Sequence, residues 1–157
     1  MSVASQRAAI VALIQGVANI GLVHAEQPFA RTEVAFRALY LWADGVGGHQ
    51  VRGWYVRRVR TAERELSVGR VQNTHTWQIK GFMALADEAS ALVFEALVEA
   101  LRKAWRLDPS LAGALAPGPM EPSGLQLTDN TPVILAGVLC HSATLAATTY
   151  EYLNAGE

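Results

Sequence analysis

The segment from Asn73 to Leu107, NTHTWQIKGFMALADEASALVFEALVEALRKAWRL, constrains the fold more than any other part of this chain. His75, Trp77 and Ile79 alternate as one face of a β-strand, because side chains on a pleated backbone point to opposite sides in turn. The alternation stops at Gly81. Asp87-Glu88 then open an apolar run of helical period, and carboxylates suit the positive end of a helix. A strand that feeds an apolar helix needs a sheet for that helix to cover. The segment carries no catalytic signature, which points to assembly rather than catalysis.

The pattern predicts a helix over Asp87–Arg106, with Asp87 as N-cap. Glu99 and Lys103 stand four apart in the favourable order, Arg102, Lys103 and Arg106 complement the negative end, and Pro109 stops it. Two apolar stripes run along this helix. Ala89, Val93, Ala96, Ala100 and Ala104 form a small-residue stripe; Phe94, Val98, Leu101 and Trp105 form a bulkier one. A helix this apolar sits deep in its domain, or packs a sheet with one side and a neighbour with the other. Phe94, Val98 and Leu101 are the candidate neighbour contacts.

The remaining pattern is read the same way. Ser2–Val17 reads as a helix with Val3, Ile10, Val11, Ile14 and Val17 on one face. Ala18–Ala25 suits a short strand, and Thr32–Trp42 a second helix or helical turn, broken by Asp44-Gly45-Val46-Gly47-Gly48. Gln50–Arg60 and Arg70–Phe82 alternate as strands and make an antiparallel hairpin with a long charged tip over Thr61–Gly69. Ser110–Gly124, with three prolines and three glycines, is a connecting loop. Leu125–Leu127, Pro132–Cys140 and His141–Leu153 read as strands. Strand and helix do not alternate strictly, so the expected fold is a single α+β domain over residues 1–157, with a mostly antiparallel sheet, helices on one face and a long charged β-hairpin.

Composition narrows the partners. Charge is nearly balanced, 13 Lys+Arg against 14 Asp+Glu, so net charge does not drive binding to nucleic acid or membrane. Only 17% of residues are charged while 51% are hydrophobic, against roughly 25% charged in average soluble chains. A subunit that covers its flanks with neighbours has this balance. One cysteine, Cys140, excludes an intrachain disulfide. Arg7 and Gln15 interrupt the N-terminal apolar run, so no signal peptide is read there, and no stretch approaches the ~20 apolar residues of a membrane span.

Candidate chemistry is sparse. His24, His49, His75 and His141 have no Cys or carboxylate at ligand spacing, so neither a metal nor a cofactor is expected. Cys140 and His141 are adjacent and point to opposite faces of a strand. The glycines at 45, 47 and 48 lack the Lys-Ser/Thr of a phosphate loop. Arginine is the exception: Arg52, Arg57, Arg58, Arg60, Arg64 and Arg70 fall within nineteen residues, while lysine occurs only at Lys80 and Lys103. Arginine's rigid fork suits carboxylates and phosphates and is enriched at interfaces. Arg57, Arg58, Arg60, Arg64 and Arg70 are therefore the candidate subunit or partner contacts, against the alternatives of a merely solvated hairpin and of direct contact with DNA.

Taken together, the N-terminal RAAIVALIQGV, the strands RGWYVRRVR and THTWQIKGFMAL, the helix DEASALVFEALVEALRKAW and the C-terminal VILAGVLCHSATLAATTYEY resemble the tail terminator (tail completion) proteins of long-tailed bacteriophages. The resemblance is one of layout and short patterns over most of the chain. It implies a small structural subunit, assembled in the host cytoplasm, that forms a hexameric ring at the head-proximal end of the tail tube. Its implied partners are other copies of itself, the tail tube protein and the neck or head-completion proteins, with DNA only as it passes through the ring lumen. It implies no catalytic residues. Neck stoppers, head-completion proteins and tube-like subunits are the nearest structural alternatives. From other classes, the competing readings are a small α+β enzyme using His75 or His141, and a ligand-binding module with an apolar pocket behind the long helix.

Overall fold

The computed structural model describes residues 2–116, 124–154 and 156. In chain order its elements are α1 (Val3–Gln15), β1 (Leu22–His24), α2 (Glu33–Ala38), β2 (Leu41–Ala43), β3 (His49–Ser67), β4 (Arg70–Ala84), α3 (Ser90–Leu107), β5 (Gln126–Asp129), β6 (Val133–Leu135) and β7 (Val138–Asn154). The fold is α+β, as expected. The sheet runs β1-β3-β4-β7-β5, with β2 added to β3 and β6 to β7. Among the described residues, only β1 and β3 pair in parallel; the other pairings are antiparallel.

Two helices cover one face. Ser2 caps α1 by accepting the Ser5 N–H, and the Ser5 hydroxyl oxygen accepts the Ser2 N–H in return. Gln6, Ile10 and Ile14, spaced four apart, form the buried stripe of α1. Phe94, Leu97, Val98, Leu101 and Trp105 form that of α3. Both stripes close on Trp54 and Val56 of β3, Trp77 and Ile79 of β4, and Leu145 and Ala147 of β7. Phe94, Val98 and Leu101 are thus core residues rather than neighbour contacts. The bulky stripe removes most apolar area from water, so it takes the sheet. The small-residue stripe turns outward instead, together with Leu92, which is 69% exposed.

Several sequence expectations are corrected. α2 lies on the opposite face from α1 and α3: Phe36 and Leu39 pack with Tyr40, Tyr55, Phe82, Leu135 and Cys140. The region expected as one helix to Trp42 breaks after Ala38, and Leu41–Ala43 pair with His49–Val51 as a strand. β4 does not stop at Gly81 but continues to Ala84. A side chain at Gly81 would collide with the Trp54 ring, so the glycine marks close packing and not a strand end. α3 starts at Ser90, three residues later than expected, although Asp87 Oδ1 still accepts the Ser90 N–H at 2.8 Å. Pro132–Cys140 is two strands, folded at Ala136-Gly137, both with positive φ. Of the expected loop over Ser110–Gly124, residues 117–123 lie outside the described residues.

The largest correction concerns the hairpin. Its charged tip is not a loop. β3 and β4 pair all the way to Ser67↔Arg70, closed by Val68-Gly69 with Gly69 at φ 76°. Register shifts at Val59 and Leu66 mark two β-bulges in β3. β7 runs alongside β4 from Ala84↔Cys140 to Arg70↔Asn154, so a three-stranded arm extends out of the sheet.

Candidate functional site: a two-faced sheet arm

Every β3 residue from Arg57 to Ser67 is exposed. The bulge at Val59 shifts the alternation by one, so Arg58 pairs with Trp77 while Arg60 pairs with Thr76. Beyond the bulge, Thr61, Glu63 and Glu65 share the helix-covered side with His75, Asn73 and Val71. Arg60 and Arg64 share the other side with Thr76 and Gln72. Arg57, opposite Gln78, and Arg70, opposite Asn154, also fall on that other side. The candidate arginines are therefore split: Arg57, Arg60, Arg64 and Arg70 on one face, Arg58 on the opposite one.

Arg58 lines a 340 Å³ cavity with Arg7, Glu26, Gln27, Phe29, Val56 and Arg57. Arg7 sits 5.7 Å above the Trp77 ring and pairs with Glu26 at 2.7 Å, while Arg57 donates to the Gln27 side-chain oxygen at 3.2 Å. The loop after β1 thus flanks β3 where β1 stops pairing.

Beneath the helix-covered face lies a polar network. Trp77 Nε1 donates to Thr149 Oγ1 at 2.7 Å, Thr149 donates to Gln6 Oε1 at 2.6 Å, and Gln6 Nε2 donates to the Tyr150 carbonyl at 2.9 Å. One pleat further out, His75 Nε2 meets Glu151 Oε2 at 3.1 Å and His75 Nδ1 meets the Thr61 hydroxyl at 2.9 Å. A carboxylate only accepts, so Nε2 carries a proton, and in the neutral imidazole Nδ1 then accepts from Thr61. The order hydroxyl, imidazole, carboxylate is that of a proton relay. Thr61, however, sits on an exposed edge strand, and the 340 Å³ cavity at Arg58 is lined by other residues. His75 was expected to have no carboxylate at ligand spacing. Glu151 reaches it across strands, 76 residues away, where sequence spacing carries no signal.

The other histidine candidate is arranged against base catalysis. Ser90 Oγ lies 2.6 Å from the Asp87 carbonyl and 2.8 Å from His141 Nε2. The carbonyl takes the single hydroxyl proton, so His141 Nε2 must donate to Ser90 and cannot accept its proton. His141 stacks on Phe94 beside a 150 Å³ cavity. Cys140, on the other face of β7, is fully buried, and burial raises its thiol pKa to about 11. Asp44 accepts the Val46 and Gly48 N–H groups in the β2–β3 turn; these bonds hold its carboxyl below the ordinary range. The glycines there serve a turn. Among the described residues, no group of three or more His, Cys, Asp or Glu is placed to hold a metal ion, and no helix is long and apolar enough to cross a membrane.

No family model matches this chain, and no curated protein matches it. The arm therefore has to be read from its own geometry.

Proposed function

We propose that this chain is a structural subunit that assembles head-to-tail into a closed ring, of the kind the tail terminator resemblance implies. The carrying observation is a pair of open sheet edges. Among the described residues no strand pairs with the outer edge of β3 from Val56 to Ser67, nor with that of β7 from Ala147 to Glu151. The two edges lie on opposite sides of the arm. Unpaired edges recruit further strands, and a contact between two different surfaces closes into a ring when its rotation allows. Leu92 and Val93, 69% and 45% exposed on the outer side of α3, supply an apolar flank to the same kind of contact.

On this reading the ring caps the head-proximal end of a phage tail tube and meets tube and neck proteins there. Its work is geometric, with no catalysis, metal or cofactor. Light scattering on the purified protein and electron microscopy of virions test it. Rings in solution or at the head-proximal end of the tube are expected, and Leu92→Glu with Val93→Glu should lower ring yield while leaving the circular dichroism spectrum unchanged. A protein that is monomeric in solution and absent from that end of the tube sinks the proposal. A stoichiometric bound metal whose chelation abolishes function sinks the non-catalytic part.

A further inference from the structure

The charges of the arm are sorted by face. Within Arg57–Ser67, Arg70–Gln78 and Ala146–Asn154, the face bearing Arg57, Arg60, Arg64 and Arg70 has no carboxylate; Glu63, Glu65 and Glu151 all lie on the other. Glu63 and Glu65 flank Arg64 in sequence, yet alternation sends them away from it. Such a face is not a sample of the whole chain, whose net charge is -1. An ordinary hairpin would set opposite charges across from one another on one face. Here Arg60 and Arg64 stand opposite Thr76 and Gln72.

We infer that this face binds the phosphodiester backbone of nucleic acid, without reading bases. The four arginines are exposed and spread from the Gln78 position of β4 to Arg70, roughly 26 Å at about 3.3 Å per residue. A linear polyanion presents phosphates along such a track, and guanidinium forks engage them bidentately. The centre of the face is Thr74, Thr76 and Gln72 with Tyr150 and Tyr152 beside them. It lacks the dry apolar centre on which protein partners anchor, whereas hydroxyls, amides and tyrosine rings suit phosphates, sugars and exposed bases.

The test is fluorescence anisotropy of the full chain with a labelled duplex oligonucleotide and with its single strand, from roughly 50 to 200 mM salt. Four neutralised phosphates give a slope near −3.6 in log–log form, so duplex binding should weaken about 150-fold over that range. For the single strand the same count gives about 50-fold; whichever form binds more tightly identifies the source of the phosphates. Arg60→Gln with Arg64→Gln should halve the slope, leaving about 12-fold, while Glu63→Gln with Glu65→Gln on the opposite face should leave the slope as it was. Circular dichroism checks that each variant is folded. The inference is overturned if neither oligonucleotide binds at low salt, if the arginine pair leaves the slope intact, or if a polyglutamate peptide of matched charge binds more tightly than either. It does not need the ring: a DNA-binding protein that is monomeric in solution and absent from the head-proximal end of the tube would sink the assembly reading alone, and a ring blind to DNA would sink this one alone.

Discussion

Thr149→Val is the sharpest probe of how the first helix is fastened to the sheet. The change is nearly isosteric and removes one hydroxyl from a site that is 1% exposed. Two buried groups then lose their partners: the Trp77 indole N–H and the Gln6 side-chain oxygen. An unsatisfied buried group costs about 1–3 kcal/mol, so the pair gives roughly 4 kcal/mol. In a protein of this length that lowers Tm by roughly 8–16 °C. Thr149→Ser keeps the hydroxyl and loses one methyl, for about 1 kcal/mol. Gln6→Leu also orphans two groups, the Thr149 hydroxyl and the Tyr150 carbonyl. The double variant Gln6→Leu/Thr149→Val orphans only Trp77 Nε1 and the Tyr150 carbonyl, two again and not four. Its cost should therefore match either single change rather than their sum. Urea titration followed by tryptophan fluorescence measures all four variants. If Thr149→Val lies within about 1 kcal/mol of Thr149→Ser, or if the single costs add, the network does not fasten α1 as described.

Three further outcomes are expected. Leu101→Ala, at a fully buried site, should cost about 2–5 kcal/mol in urea titration, while Leu92→Ala, on the outer side of the same helix, should stay within about 0.5 kcal/mol; equal costs would mean that the inner and outer stripes of α3 are misassigned. Gly81→Ala drives a methyl into the Trp54 ring and should destabilise by about 1–3 kcal/mol by the same assay, where an unchanged midpoint would show that the indole moves aside freely. Cys140, with its thiol pushed up to about 11 by burial, should resist iodoacetamide at pH 8 in the native protein and react once urea unfolds it. Because that folded value lies above the unfolded 9.0, the associated stability is complete below pH 9 and is lost as pH rises towards 11. Rapid labelling of the folded protein, or a flat alkaline stability curve, would contradict the burial.

Periodicity made the larger elements legible. Ile10 and Ile14, Trp54 and Val56, and Trp77 and Ile79 all lie on the faces that a 3.6- or two-residue repeat assigns. What periodicity missed has physical causes. Gln6 is polar and gives no apolar signal, yet it belongs to the buried stripe because Thr149 and Tyr150 satisfy it. Alternation carried straight through β3 would put Arg58, Arg60 and Arg64 together; one bulged residue, Val59, separates Arg58 from the other two, and nothing in a valine announces a bulge. The helix that joins an assembly contact cannot be told from one that fills a core by composition, since both stripes of α3 are apolar. Side-chain volume decided it. The His75–Glu151 pair depended on a register between β4 and β7 that only the folded sheet defines.

The bond from Gln6 to the Tyr150 carbonyl joins residues 144 positions apart. At a synthesis rate of about 5–20 residues per second, α1 waits roughly 7–30 s before the strand it is fastened to exists. During that interval Ile10 and Ile14 have neither Leu145 nor Ala147 to cover them, and exposed apolar surface of this kind favours aggregation. The same delay has an ordering effect. β7 supplies one of the two open edges, so an unfinished chain cannot present the complementary pair. A partly made subunit is thereby kept out of any assembly that grows through those edges.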